Sequence, residues 1–147
     1  MAKCSDVMTR EPVSCEPADP IQRVAEVMKR QDVGAVPIVE SKSSRRLVGI
    51  LTDRDIVVKV LAEGRSVDGS TARDAMTTQV ATCREDQDVS AALSLMAERK
   101  VRRMPVVDAD GRLVGIIAQA DIATRVNKDQ ATGELVEAIS EPGTVRK

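Results

Sequence analysis

Arg46-Leu-Val-Gly-Ile-Leu-Thr-Asp-Arg-Asp55-Ile56 decides how the chain is read, because Arg112-Leu-Val-Gly-Ile-Ile-Ala-Gln-Ala-Asp121-Ile122 says nearly the same thing again. Upstream, one constant offset of 68 residues carries Asp6 onto Asp74, Met8-Thr9 onto Met76-Thr77 and Cys15 onto Cys83. It also carries Met28 onto Met96, Val33 onto Val101, Pro37 onto Pro105 and Val39 onto Val107. Nearer the quoted stretch the offset falls to 66, since the first copy holds two extra residues within 40–46. They fall in Ser41-Lys-Ser-Ser, which reads as a loop, where the second copy has the tighter Asp108-Ala-Asp-Gly111 turn. An insertion confined to a turn is what a structural duplication leaves behind.

Each copy follows one pattern. Asp19-Pro20-Ile21-Gln22 reads as a helix start, with Asp19 as N-cap, Pro at the first helical position and Gln at the third. Ile21, Val24, Ala25 and Met28 follow at helical spacing, and Val89, Ala92, Leu93 and Met96 hold the same places in the second copy. Two short β-branched strands come next, 36–39 and 47–51, with 104–107 and 113–117 as counterparts. A second helix begins near Thr52–Asp55 and runs to about Ala62, matched by 119–126. The expected class is α+β: two βαββα repeats packed by pseudo-twofold symmetry through their sheets, since one alone leaves a sheet face uncovered. The repeats are expected at 6–66 and 75–130, joined by a polar, glycine-bearing linker at 67–74. A polar tail occupies 131–147, with a short helix around 134–139.

Composition removes most chemistries. The 147 residues carry 22 Lys+Arg against 23 Asp+Glu, 42% apolar residues, and no His, Phe, Tyr or Trp. Without His there is no Ser-His-Asp triad and no His-ligated zinc. Without aromatics there is no base-stacking platform, and a net charge of −1 gives no pull toward nucleic acid or anionic membrane. No Walker loop occurs, so nucleotide hydrolysis has no cradle. No apolar run is long enough for a bilayer span or a signal-peptide core. Cys4, Cys15 and Cys83 fit no metal spacing, and an odd number makes no disulfide framework. Cys15 and Cys83 read as buried small hydrophobes, and Cys4, near a frayed terminus, as a thiol open to modification. Met8, Met28, Met76 and Met96 read as core. A non-catalytic protein of a reducing cytoplasm is the expectation.

The stretches Val7-Met8-Thr9, Val33-Gly-Ala-Val-Pro37-Ile-Val and Leu47-Val-Gly-Ile-Leu-Thr-Asp-Arg-Asp55-Ile resemble the cystathionine-β-synthase (CBS) domain. So do Ala75-Met-Thr77, Val101-Arg-Arg-Met-Pro105-Val-Val-Asp and Leu113-Val-Gly-Ile-Ile-Ala-Gln-Ala-Asp121-Ile, and two such copies look like a tandem pair, or Bateman module. The resemblance covers residues 6–126. It implies a stand-alone regulatory sensor that requires no cofactor and takes AMP, ADP or ATP, or S-adenosylmethionine or NAD, in the cleft between the repeats. It implies a homodimer, which would relay occupancy to an unidentified regulated protein. The alternative is a dimeric scaffold whose sites have decayed. A nucleic-acid-binding relative is disfavoured by the neutral charge.

Under that resemblance the lead site is Thr52, Arg54 and Asp55 with Met76, Ala81, Val101, Arg102 and Arg103. Asp55 would hold the ribose hydroxyls, and the arginines would hold phosphate. The helix start behind Thr52 also offers free N–H groups to a phosphate. The weaker second site is Val13, Val33, Gly34, Ala118 and Asp121, where alanine replaces the hydroxyl and the facing stretch has no arginine. Each residue also has a plainer reading. Thr52-x-x-Asp55 fits a helix capping box, Asp121 a favourable charge at a helix start, and Arg102-Arg103 a solvated face.

Overall fold

The computed structural model describes residues 2–129, so the tail and its expected helix lie outside the described residues. The order is α1 (Cys4–Val7), β1 (Thr9–Arg10), α2 (Ile21–Gln31), β2 (Ala35–Val39), β3 (Leu47–Thr52) and α3 (Asp53–Ile56). α3 runs on as a π-helical segment, Val57–Leu61, followed by α4 (Ala72–Ala75) and β4 (Cys83–Arg84). α5 (Val89–Arg99), β5 (Arg103–Val107), β6 (Leu113–Ala118) and α6 (Gln119–Asp129) complete it. The fold is mixed α+β. The four long strands and two amphipathic helices stand where the β-branched runs and the helical spacing put them. Two compact units result, one holding the β2–β3 hairpin (Pro12–Val80 with Asp110–Leu113) and one holding β5 and β6 (2–11, 81–109 and 114–129).

In the first-hairpin unit β2 and β3 pair antiparallel from Ala35↔Thr52 to Val39↔Leu47. Cys15 bridges Ile38 on the outer side of β2, and Thr77 bridges Ile50 on the outer side of β3. α2 turns Ile21, Val24, Val27 and Met28 inward, onto Val36, Ile38, Leu51 and Val60. Its start corrects the sequence reading. Pro20, not Asp19, is the N-cap, and Asp19 Oδ2 instead accepts the Glu16 N–H at 2.8 Å, closing the turn before the helix. The first helical N–H, of Ile21, is satisfied by the Ser70 carbonyl at 2.9 Å.

The second-hairpin unit repeats this order as β1-β6-β5-β4. β1 pairs antiparallel with β6 (Thr9↔Ile116) and β4 parallel with β5 (Cys83↔Val106). The strand beside each hairpin therefore belongs, in sequence, to the segment leading into the other repeat. Thr9 covers β6 and Thr77 covers β3, each pairing an edge that would otherwise expose unpaired backbone groups. The compact units thus cross the sequence blocks 6–66 and 75–130. The stretch 67–74, expected as a linker, holds a buried Ser70 and a fully buried Ala72, whose N–H bonds the Asp19 carbonyl at 2.8 Å. The second-hairpin unit carries the equivalent tie, Cys4 N–H to the Gln87 carbonyl at 2.8 Å.

Cys4 is fully buried, not frayed, because α1 packs it against Met8, Cys83 and Met96 in the second-hairpin core. A hydrogen bond from the Cys83 thiol pulls Cys4 below its ordinary value and pushes Cys83 above its own. Cys15 is buried as expected, and burial beside Asp19 raises its thiol to about 11. All three cysteines are free. Met8, Met28 and Met96 are core, whereas Met76 is only half-buried at the edge of the first-hairpin core.

Candidate functional site

The first-hairpin unit gathers its polar groups where β3 ends. Thr52 is extended (φ −110°, ψ 163°), so its hydroxyl meets the Asp55 N–H at 3.0 Å, while Asp55 Oδ2 accepts the Thr52 N–H at 3.0 Å. The capping-box reading is therefore realised. It does not exhaust Asp55, since each carboxylate oxygen has more than one lone pair. Oδ1 lies 3.3 Å from Lys59 Nζ, one turn on, and the Asp55 side chain is 15% exposed. The ammonium also reaches the Ala75 carbonyl at 3.1 Å and Thr77 Oγ1 at 3.4 Å. A carboxylate, a hydroxyl and an ammonium thus converge on one corner.

Other expected site residues in this unit surround that corner. Gly34 accepts the Asp53 N–H on its carbonyl at 3.0 Å, and a Cβ there would sit 3.2 Å from Asp53 Oδ2. Val33 closes the end of α2 through its N–H to Met28, and Val13 packs half-buried on the core. Arg54 is exposed on the same turn. Met76 lies against Gly49, where a Cβ would come within 2.9 Å of its sulfur. Lys59 was missed from sequence. The signal was available, an acid followed four residues later by a base on one helix.

In the second-hairpin unit the Arg102 carbonyl accepts the Gln119 N–H at 2.9 Å, so Arg102 and Arg103 stand beside the turn that carries Ala118 and Asp121. Both arginines are exposed, Val101 is 37% exposed, and Ala81 packs half-buried on that unit's core. Each expected set therefore draws on both units. Within a unit the neighbours are Gly34 with the Thr52–Asp55 turn, and Arg102 with the Ala118–Asp121 turn. The arginines do not by themselves distinguish the two turns. The distinction rests on Thr52 against Ala118. Among the described residues no cluster of three metal-ligating side chains exists, and no helix is long and apolar enough to cross a membrane.

The CBS domain model matches residues 4–62 and again 72–128. The CBS domain-containing protein YhcV of Bacillus subtilis is 36% identical over 141 residues, covering 95% of this chain and 96% of that protein. A protein of Methanopyrus kandleri is 37% identical over 117 residues, 80% of this chain, which spans 59% of that relative's length. Among solved structures, Hypoxic Response Protein I with two coordinated zinc ions superposes with a TM-score of 0.76 at 34% identity, covering 84% of this chain and 98% of that one. CBSX2 in complex with AMP gives 0.78 at 25% identity, over 88% and 99%. The CBS domain pair of MJ0100, in complex with 5-methylthioadenosine and S-adenosyl-L-methionine, gives 0.76 at 28% identity, over 88% and 98%.

Proposed function

The chain belongs to the CBS domain family, as a tandem pair, and from that premise we propose that it is a non-catalytic regulatory module. Its ligand is an adenosine compound, AMP, ADP or ATP first, held through the Thr52–Asp55 turn, and it acts in a reducing cytoplasm that suits three free thiols. The observation that carries this is Asp55, a carboxylate pinned by a backbone N–H on one oxygen and shared with a lone ammonium on the other. A rigid carboxylate is what a vicinal diol needs as an acceptor. Support also comes from the relatives that hold AMP or S-adenosylmethionine.

The missing aromatics provide the test. A chain without Trp or Tyr is nearly transparent in the near ultraviolet, so a bound adenine dominates the spectrum. Gel-filtered protein is expected to release an adenine compound on denaturation, identified by mass spectrometry, or, if purified empty, to bind AMP calorimetrically. Neither an adenine band nor heat with AMP, ADP, ATP, S-adenosylmethionine or NAD would overturn the sensor. That outcome would favour the scaffold reading, to which the Ala118 substitution already points.

Either reading includes a homodimer. Val57 (53% exposed), Val58 (41%) and Leu61 (56%) crowd one segment, a concentration of bare aliphatic surface that a second copy would cover. Leu61→Glu is expected to weaken self-association at least ~100-fold, since burying an unpaired carboxylate in an apolar interface costs several kcal/mol. Sedimentation equilibrium reads the result; an unchanged dimer would exclude this face.

A further inference from the structure

Lys59 occupies a place that the ligand-binding reading leaves unexplained. Its ammonium has three protons and meets three oxygens, on Asp55, Ala75 and Thr77, at 3.3, 3.1 and 3.4 Å. All three distances exceed the ~2.8 Å of a strong charge-assisted bond. The side chain remains 41% exposed. The lysine end of the pair is open to water, and an acid–base pair four residues apart on a helix, screened in this way, shifts an equilibrium by only about two- to threefold. Lys59 is therefore held loosely, and of its three oxygen partners the charged one is the carboxylate a sugar diol would claim.

Resting on the function proposed above, we infer that Lys59 is the residue by which the site selects phosphorylated adenosine over the bare nucleoside. Ribose hydroxyls donating to Asp55 take over the interaction that Oδ1 gives to the ammonium. Lys59 then keeps two neutral oxygens, of Ala75 and Thr77, and has an uncompensated positive charge beside a ligand whose sugar is already fixed. A phosphate on that sugar meets it; a plain nucleoside leaves it unpaired. Giving up Asp55 costs the small factor above, whereas a charge-assisted bond to phosphate returns about tenfold or more. The exchange favours the nucleotide.

The test is calorimetry of the full chain with adenosine and with AMP, on wild type and on Lys59→Gln, which keeps a donor toward Ala75 and Thr77 but no charge. Wild type is expected to prefer AMP by about tenfold or more. The variant is expected to bring the two affinities within about threefold of each other, chiefly by weakening AMP, while adenosine gains no more than the roughly two- to threefold that displacing Lys59 costs it. Lys59→Met, checked for fold by circular dichroism, is expected to do the same. A variant that keeps the wild-type preference overturns the inference, and so does one that weakens both ligands equally, because Lys59 would then only support Asp55. Wild type binding neither ligand overturns this inference; the sensor reading falls with it only when ADP, ATP, S-adenosylmethionine and NAD also give no heat.

Discussion

Asp55→Ala is expected to lower the affinity for AMP at least ~100-fold, while Asp121→Ala changes it less than about threefold. The magnitude follows from what the carboxylate would give a ribose: two charge-assisted hydrogen bonds, each contributing about 1.5–3 kcal/mol. The asymmetry follows from Thr52. In the first turn the Thr52 N–H donates to Asp55 Oδ2 and the Thr52 hydroxyl accepts the Asp55 N–H, at 3.0 Å each, so carboxylate and backbone are both fixed when the ligand arrives. In the second turn Ala118 stands where the hydroxyl would be, so no side chain there accepts the Asp121 N–H and fixes the backbone under the carboxylate. Asp55→Ala also strips the capping box, which costs about 0.5–2 kcal/mol of stability. Asp55→Asn separates the effects: one amide oxygen still caps while the charge is gone, so binding falls with little change in melting temperature. Titration calorimetry on the three variants decides it. Equal losses at Asp55 and Asp121 would mean two equivalent sites.

Much of this architecture is legible in the residues, for identifiable reasons. β2, β3, β5 and β6 are five or six residues long and apolar, and α2 buries one face at helical spacing, so local pattern suffices for them. β1 and β4 are two residues long, too short for alternation to register. Their partners, Ile116 for Thr9 and Val106 for Cys83, lie far along the chain or in the parallel sense. Nothing local in Met8-Thr9 says which hairpin it will cover, and that is why the compact units cross the sequence repeats. Cys4 was misplaced for a related reason. Nearness to a terminus implies fraying only when nothing downstream captures the segment, and here Gln87 and Asp88 do. At the site, Thr52 and Asp55 were readable because their spacing matches two roles at once, capping and ligand binding. Lys59 was hidden by that same match: once Asp55 had a partner at Thr52, its second oxygen was left unassigned.

The largest effect on stability is expected at Gly115, where Gly115→Ala should cost about 2–3 kcal/mol, a melting-temperature drop of roughly 6–10 °C. Gly115 lies in β6 opposite Arg10, beside the Met8-Thr9 segment. A Cβ there would collide with the Met8 sulfur, lie 2.8 Å from Met8 Cγ and stand 3.0 Å from the Thr9 carbonyl oxygen. Met8 is buried in the second-hairpin core and has little room to retreat. The carbonyl is backbone, held by the β1–β6 pairing, and cannot retreat without breaking it. Gly49 occupies the same place in the other unit, with its added Cβ 2.9 Å from the Met76 sulfur and 3.0 Å from the Thr77 oxygen. Met76 is only half-buried, so Gly49→Ala should destabilise in the same direction but by less. Gly111 supplies the contrast. Its φ of 83° demands glycine for conformational reasons, yet a Cβ there meets nothing, so its alanine variant carries about 1 kcal/mol of backbone strain alone. A second substitution identifies the cause at Gly115. Met8→Ala in the Gly115→Ala background removes the sulfur clash but not the carbonyl, and so should recover part of the loss caused by crowding. The double variant is expected to lie closer to Met8→Ala than the separate effects would sum to, a coupling that thermal scans by circular dichroism resolve. Additive losses would mean that the strand shifts to accommodate the methyl, and that the paired Met-Thr segments are not what keeps both positions glycine.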